Sequence, residues 1–180
     1  MRYQHFLSSF LITLSVGISP TFAGDSLKTS GKTLLMPYKK SLQQALKQGM
    51  SIGPAEAVLA CQLKAPKIAE GLSKNGVRVG RTSHRLRNSA NLSPDWVQPI
   101  LKAYLNQPSE LSPRTVTLSG NRTGYAEPIL IQPLCTNCHG TEVNPDLLKR
   151  IQSLYPDDQA LGFKTGDFRG VFWIEYPNDH

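Results

Sequence analysis

The chain has 180 residues, 39% of them hydrophobic and 8% aromatic, and a formal charge of +7. That is enough for one domain with a buried core and short for two. There is no low-complexity tract and no internal repeat, so solenoid and fibrous architectures are excluded.

Residues 1–23 read as a secretory signal peptide. Arg2 lies in a short basic start, Phe6 to Ile18 is apolar, and Pro20-Thr21-Phe22-Ala23 offers small residues before a cut at Gly24. The run is shorter than the roughly 20 residues of a membrane span, and no second one follows. No cysteine follows the cut, so no lipid anchor is indicated. The mature chain is expected to be soluble in the periplasm as a single domain, 24–180. Processing removes one arginine and no acid, leaving 19 basic against 13 acidic residues, a net +6. Nucleic acid is not expected as a partner there; an acidic protein or headgroup is compatible with the charge.

Gly24 to Gly31 reads as a loose start. Thr33 to Gln48 predicts a helix, with Leu35, Tyr38, Leu42, Ala45 and Leu46 on one face, Pro37 in its first turn and Gly49 as its terminator. Met50 to Gly53 then reads as a turn. Pro54 opens a second helix on which Val58, Cys61, Ala65, Ile68 and Leu72 share a face, and Pro66 should kink or divide it. Val77 to Thr82 alternates as a short strand, and Arg85 to Leu92 is turn-like. Ser93 and Pro94 predict a third helix with Trp96, Ile100, Leu101 and Tyr104 facing inward and Pro99 awkward inside it. Arg114 to Leu118 and Tyr125 to Ile131 read as strands around an Asn121-to-Gly124 turn. Pro128 should put the second on an edge or near a bulge. Pro145 to Leu154 predicts a short helix, and Arg169 to Tyr176 a closing strand. Helices first and strands later make an α+β order around a small antiparallel sheet.

Cys135-Thr136-Asn137-Cys138-His139 carries the chemistry. Two cysteines separated by two residues and followed by histidine form the attachment signature of a c-type haem. The thiols add to the two vinyl groups, and the next side chain reaches the iron. A zinc half-site would need a second ligand pair, which is missing. A thioredoxin-like pair would need a preceding strand in a βαβ unit. Haem attachment requires export, so signal and motif support one another. One covalent haem c is expected on Cys135 and Cys138, with His139 as an axial ligand.

The second axial position has several candidates. Cys61 is an odd thiol in an exported chain, on an apolar helix face. It fits a thiolate ligand or an inert buried cysteine equally well. His84 sits in what reads as a solvated loop, His180 is terminal, and Met36 and Met50 flank the first helix. Methionine ligation would raise the reduction potential, and thiolate ligation would lower it.

Four blocks resemble an exported single-haem c-type domain family with a PAS-like fold, found as small cyanobacterial and proteobacterial haem proteins and as sensor modules of histidine kinases and chemoreceptors. They are Ala60 to Ala69, Val79 to Ser83 continuing through Leu86-Arg87-Asn88 to Trp96, Cys135 to Gly140, and Tyr155 to Gly162 continuing through Gly166 to Gly170. The resemblance implies a PAS-like α+β fold, N-terminal helices around one covalent haem, and His139 with Cys61 as the axial pair. His84 and Pro99 depart from the family pattern, His84 where an apolar or unremarkable residue is usual and Pro99 where an acidic residue is common; His84 keeps a His/His site in play. Arg81 and Arg87 fall in the matched blocks and suit haem propionates, with a salt bridge to Asp95, Asp157, Asp158 or Asp167 as the alternative for each; Arg169 poses the same choice. Asn88 and Asp167 suit turns. The expected function is a non-enzymatic redox or small-ligand sensor that signals through a separate protein. A soluble electron-transfer cytochrome is the alternative.

Overall fold

The structure, a computed structural model, describes residues 22–178. The expected signal peptide lies outside them except for Phe22 and Ala23, as does His180. Helix α1 spans Phe22–Ile52 and α2 spans Pro54–Leu72. Strand β1 (Arg78–Thr82) follows, then a 3-10 turn (Asp95–Val97) leading into α3 (Gln98–Asn106). Next come β2 (Arg114–Leu118), β3 (Arg122–Leu130), α4 (Thr136–His139), α5 (Pro145–Leu154) and β4 (Phe168–Pro177). The sheet is antiparallel in the order β1-β4-β3-β2. This is the α+β architecture expected from the order of elements.

Alternation along the strands divides the core into two faces. Val79, Tyr125, Ile174 and Tyr176 turn toward Leu35, Tyr38 and Leu42 of α1 and Ala65 of α2. Ala126, Val171 and Trp173 turn the other way, toward Val97, Ile100, Leu101 and Tyr104. The helical hairpin α1–α2 therefore covers one face and α3 the other.

Several expectations are corrected. The region 24–31 is helical, not loose, and α1 runs on past Gly49. Both glycines are places of close approach. A Cβ at Gly31 would lie 2.5 Å from the Tyr125 ring, and one at Gly49 would lie 2.5 Å from Ala57 Cα. Pro37 consequently lies inside the helix, and Gly53 alone breaks the hairpin. Pro66 does not divide α2. Pro99 falls in the first turn of α3, where its missing N–H costs nothing, because a 3-10 turn precedes it. Ser93 is no helix cap. The β2–β3 turn lies at Ser119-Gly120-Asn121, earlier than expected, where Gly120 and Asn121 supply positive φ values of 69° and 54°. Strand β3 is internal in the sheet, but β2 stops pairing at Ala126. Pro128 therefore has no partner on that side, and a register shift follows at Ile129/Leu130.

Candidate haem site

Pro133–Cys135 forms one 3-10 turn and α4 one α-turn. Thr136 Oγ1 donates to Pro133 O at 2.7 Å, and Gly140 N closes the helix on Thr136 O at 2.9 Å. A Cβ at position 140 would lie 2.5 Å from Thr136 O, so glycine is needed for this tight exit. The turn carries Cys135 and Cys138 at three-residue spacing, which places them on one side of it. Each meets a different small cluster. Cys138 packs on Val58, Leu147, Ile151 and Tyr155; Cys135 packs on Ile131, Ala160 and Phe163. Both thiols are free and half-buried.

His139 is held by the connection 155–167. Its Nδ1 lies 2.8 Å from Ala160 O. A carbonyl only accepts, so Nδ1 carries the proton and Nε2 keeps its lone pair for a metal. Phe163 N donates to His139 O at 2.9 Å and Gly162 N to Gly140 O at 2.8 Å. Burial, and then Arg87 and Arg169, push the His139 imidazole down to about 3, against the opposing Ala160 bond. The imidazole is therefore neutral at physiological pH, as a ligating histidine must be.

Cys61 comes from α2. One turn earlier Val58 is buried against α5, and one residue later Gln62 Nε2 donates to Leu154 O at 3.2 Å. Burial raises the Cys138 thiol, Arg87 opposes this, and Cys61 and Cys135 add to the rise. Burial and Cys61 likewise raise the Tyr155 phenol. The structure thus brings the third cysteine to the same corner as the motif. Met36 and Met50 lie within α1, which packs mainly on α2 and the sheet.

Four arginines surround the motif. Arg87 pairs with Asp158 at 3.0 Å and also donates to Cys138 O and Ala160 O. Arg85 Nε donates to Gln159 O at 2.9 Å, its Nη2 to Leu161 O, and its guanidinium lies 4.4 Å from the Phe163 centroid. Arg169 Nη1 donates to Ser83 Oγ at 2.6 Å and Arg85 O at 3.0 Å. Burial, then Arg81 and Arg87, lower it to about 10. Among the described residues no carboxylate pairs with Arg81, and Asp158 is the only one paired with any of the four. The corner has an excess of partly buried positive charge that an anionic group would offset.

A free imidazole nitrogen, two free thiols and surplus guanidinium charge fit a haem c with its two propionates. Among the described residues no group of three or more His, Cys, Asp or Glu could hold a bare metal ion. His84 is not the solvated loop residue expected. It stacks on Phe168 at 5.7 Å and 9°, meets Phe163 edge-on, and its Nδ1 is buried without a partner. Asn88 and Asp167 serve turns, accepting from Ala90 N at 3.0 Å and Lys164 N at 2.7 Å. Arg85, Ala160 and Phe163 escaped sequence inspection. Arg85 had a signal in its spacing from Arg81 and Arg87. Ala160 acts through its backbone and had none.

In fold the chain is similar to the cyanobacterial heme-protein Tll0287, with a TM-score of 0.63 at 22% identity, covering 89% of this chain and 97% of that one. No curated protein matches the chain. The family model described as Tll0287-like matches residues 24–177, in agreement with the resemblance carried by the four sequence blocks, and the chain belongs to that family.

Proposed function

We propose that the chain is an exported c-type haem-binding protein that serves as a periplasmic redox or small-ligand-responsive module. One haem would be attached through Cys135 and Cys138, with His139 and Cys61 as axial ligands. When bound, the haem supplies a redox-active iron. Arg81, with no carboxylate of its own among the described residues, is suited to a propionate. Arg87 directs much of its fork to Asp158 and the motif backbone. Support also comes from family membership, since the protein of similar fold is a heme-protein.

The observation that carries the proposal is a neutral His139, its Nδ1 bound by Ala160 O, in a turn whose Cys138 packs on α2 and α5 close enough to feel Cys61. Cys61 is the responsive element. Val58 and Gln62 bind its helix to α5, so a displacement of Cys61 passes directly into α2. With Cys61 on the metal no open position is left for substrate, which favours a binding role over catalysis. No helix among the described residues is long and apolar enough to cross a membrane.

The test is a pyridine haemochrome spectrum followed by low-temperature EPR of the ferric protein. Cys61→Ser should lose the low-spin thiolate–imidazole signal while keeping the covalent haem. An unchanged signal would remove Cys61 from the iron. One observation favours the alternative of a soluble electron carrier. Leu130 and Leu134 are exposed, at 38% and 46%, beside Cys135, a dry rim of the kind transient electron-transfer contacts use. Fast electron exchange with a small redox protein, abolished by Leu134→Glu, would support that role over sensing.

A further inference from the structure

Arg87 reaches the axial histidine through a single oxygen atom. Ala160 O accepts from His139 Nδ1 at 2.8 Å and from Arg87 Nη2 at 3.3 Å. The same nitrogen reaches Cys138 O at 2.5 Å and Asp158 Oδ2 at 3.0 Å, with Nε 3.2 Å from that oxygen. Asp158 Oδ1 completes the ring by accepting from Ala160 N at 2.8 Å. The Arg87 and Asp158 side chains are only 12% and 3% exposed, so solvent screens the pair weakly.

We propose that Arg87 and Asp158 are a positioning pair that sets the electron richness of the His139 imidazole, and with it the reduction potential of the site. This rests on the haem assignment above. A carbonyl oxygen that also accepts from a cation has less electron density to offer a second donor. The Nδ1–H bond is then weaker and the imidazole a poorer donor to a metal through Nε2. The guanidinium charge also disfavours the oxidised iron directly. Both effects raise the potential, and the Asp158 carboxylate limits them by neutralising Arg87.

Two substitutions therefore act with opposite sign. Arg87→Gln removes the cation and strengthens the hold of Ala160 O on His139, so the potential falls. Asp158→Asn leaves Arg87 uncompensated, so the potential rises. A brace with no electronic role behaves differently, because losing either partner loosens the same loop and shifts the potential the same way. Arg87→Lys keeps the charge without the planar fork and should restore part of the fall.

The experiment is a potentiometric titration of the haem-loaded protein and its Arg87→Gln, Arg87→Lys and Asp158→Asn variants. It is paired with NMR of the imidazole Nδ1–H in the haem-free chain. Opposite shifts in potential are expected, with the Nδ1 proton moving downfield in Arg87→Gln and upfield in Asp158→Asn. Shifts of the same sign in both variants, or an unmoved Nδ1 proton, would overturn the proposal. Absence of a haemochrome in the wild-type protein would sink the haem assignment instead, and the NMR comparison would still decide the pair. If Arg87→Gln does not fold, Arg87→Lys and Asp158→Asn give the same comparison.

Discussion

His84 Nδ1 is buried without a hydrogen-bond partner, and the ring stacks on Phe168 beside two arginines. Burial first, then Arg169 and Arg85, hold its imidazole below the ordinary range. The unfolded chain takes up a proton there near pH 6.5, while the folded chain resists it. The unfolded state thus binds more protons below that pH, and stability falls as the pH falls. His139, pushed down to about 3 in the haem-free chain, acts in the same sense. Phenylalanine at position 84 keeps a stacking ring and removes one of these titrations. His84→Phe should therefore lose less stability than wild type between about pH 7 and about pH 5, read as the change in urea midpoint. Equal losses in the two proteins would mean that His84 titrates normally in the fold.

Helix α5 is the seat of α2 beside the motif. Asn144 Oδ1 caps it by accepting from Asp146 N and Leu147 N, Pro145 begins it, and Leu147 and Ile151 are its buried face. Ile151 is fully buried between Val58, Leu147 and Tyr155. Ile151→Ala should cost about 2–5 kcal/mol in chemical denaturation, since this small cluster has little other apolar area. A loss below about 1 kcal/mol would show that α2 is seated by other contacts. The boundaries of α5 were legible in the sequence because the cap, the first-turn proline and the apolar spacing all agree. Those of α1 were not. Gly31 and Gly49 look like breakers, and their role is visible only once Tyr125 and Ala57 stand against them. The site divides in the same way. The motif cysteines and His139 stand out as candidates by their spacing, and Cys61 as a candidate by being odd. The carbonyl of Ala160 and the choice of Asp158 as the Arg87 partner depend on how the connection 155–167 folds back, which no local pattern encodes.

Across the whole molecule, packing is uneven. The two large clusters lie on either face of the sheet, between α1–α2 and α3. The motif lies outside both, against two clusters of four and three buried residues. All three cysteines are free, so no disulfide fastens this corner. Local stability follows buried apolar contact, so α4 and α5 belong to the part of the fold that opens most readily without a cofactor. An axial bond from Cys61 would change this. It would join α2 to the motif across a long intervening chain that includes three strands and α3. By the chain-entropy argument, cross-links closing loops of roughly 15 to 100 residues contribute about 3 to 5 kcal/mol, less any strain in the folded state. The haem-loaded wild-type protein should therefore melt several degrees above haem-loaded Cys61→Ser. The two haem-free chains should melt nearly together, because the Cys61 thiol then contributes only its packing. Equal melting of the loaded forms would place the second axial ligand elsewhere. A difference confined to the haem-free forms would reduce Cys61 to a small buried hydrophobe. Hydrogen exchange locates the effect: haem loading should slow it in α4 and α5 far more than in β4, which the sheet already protects on both edges.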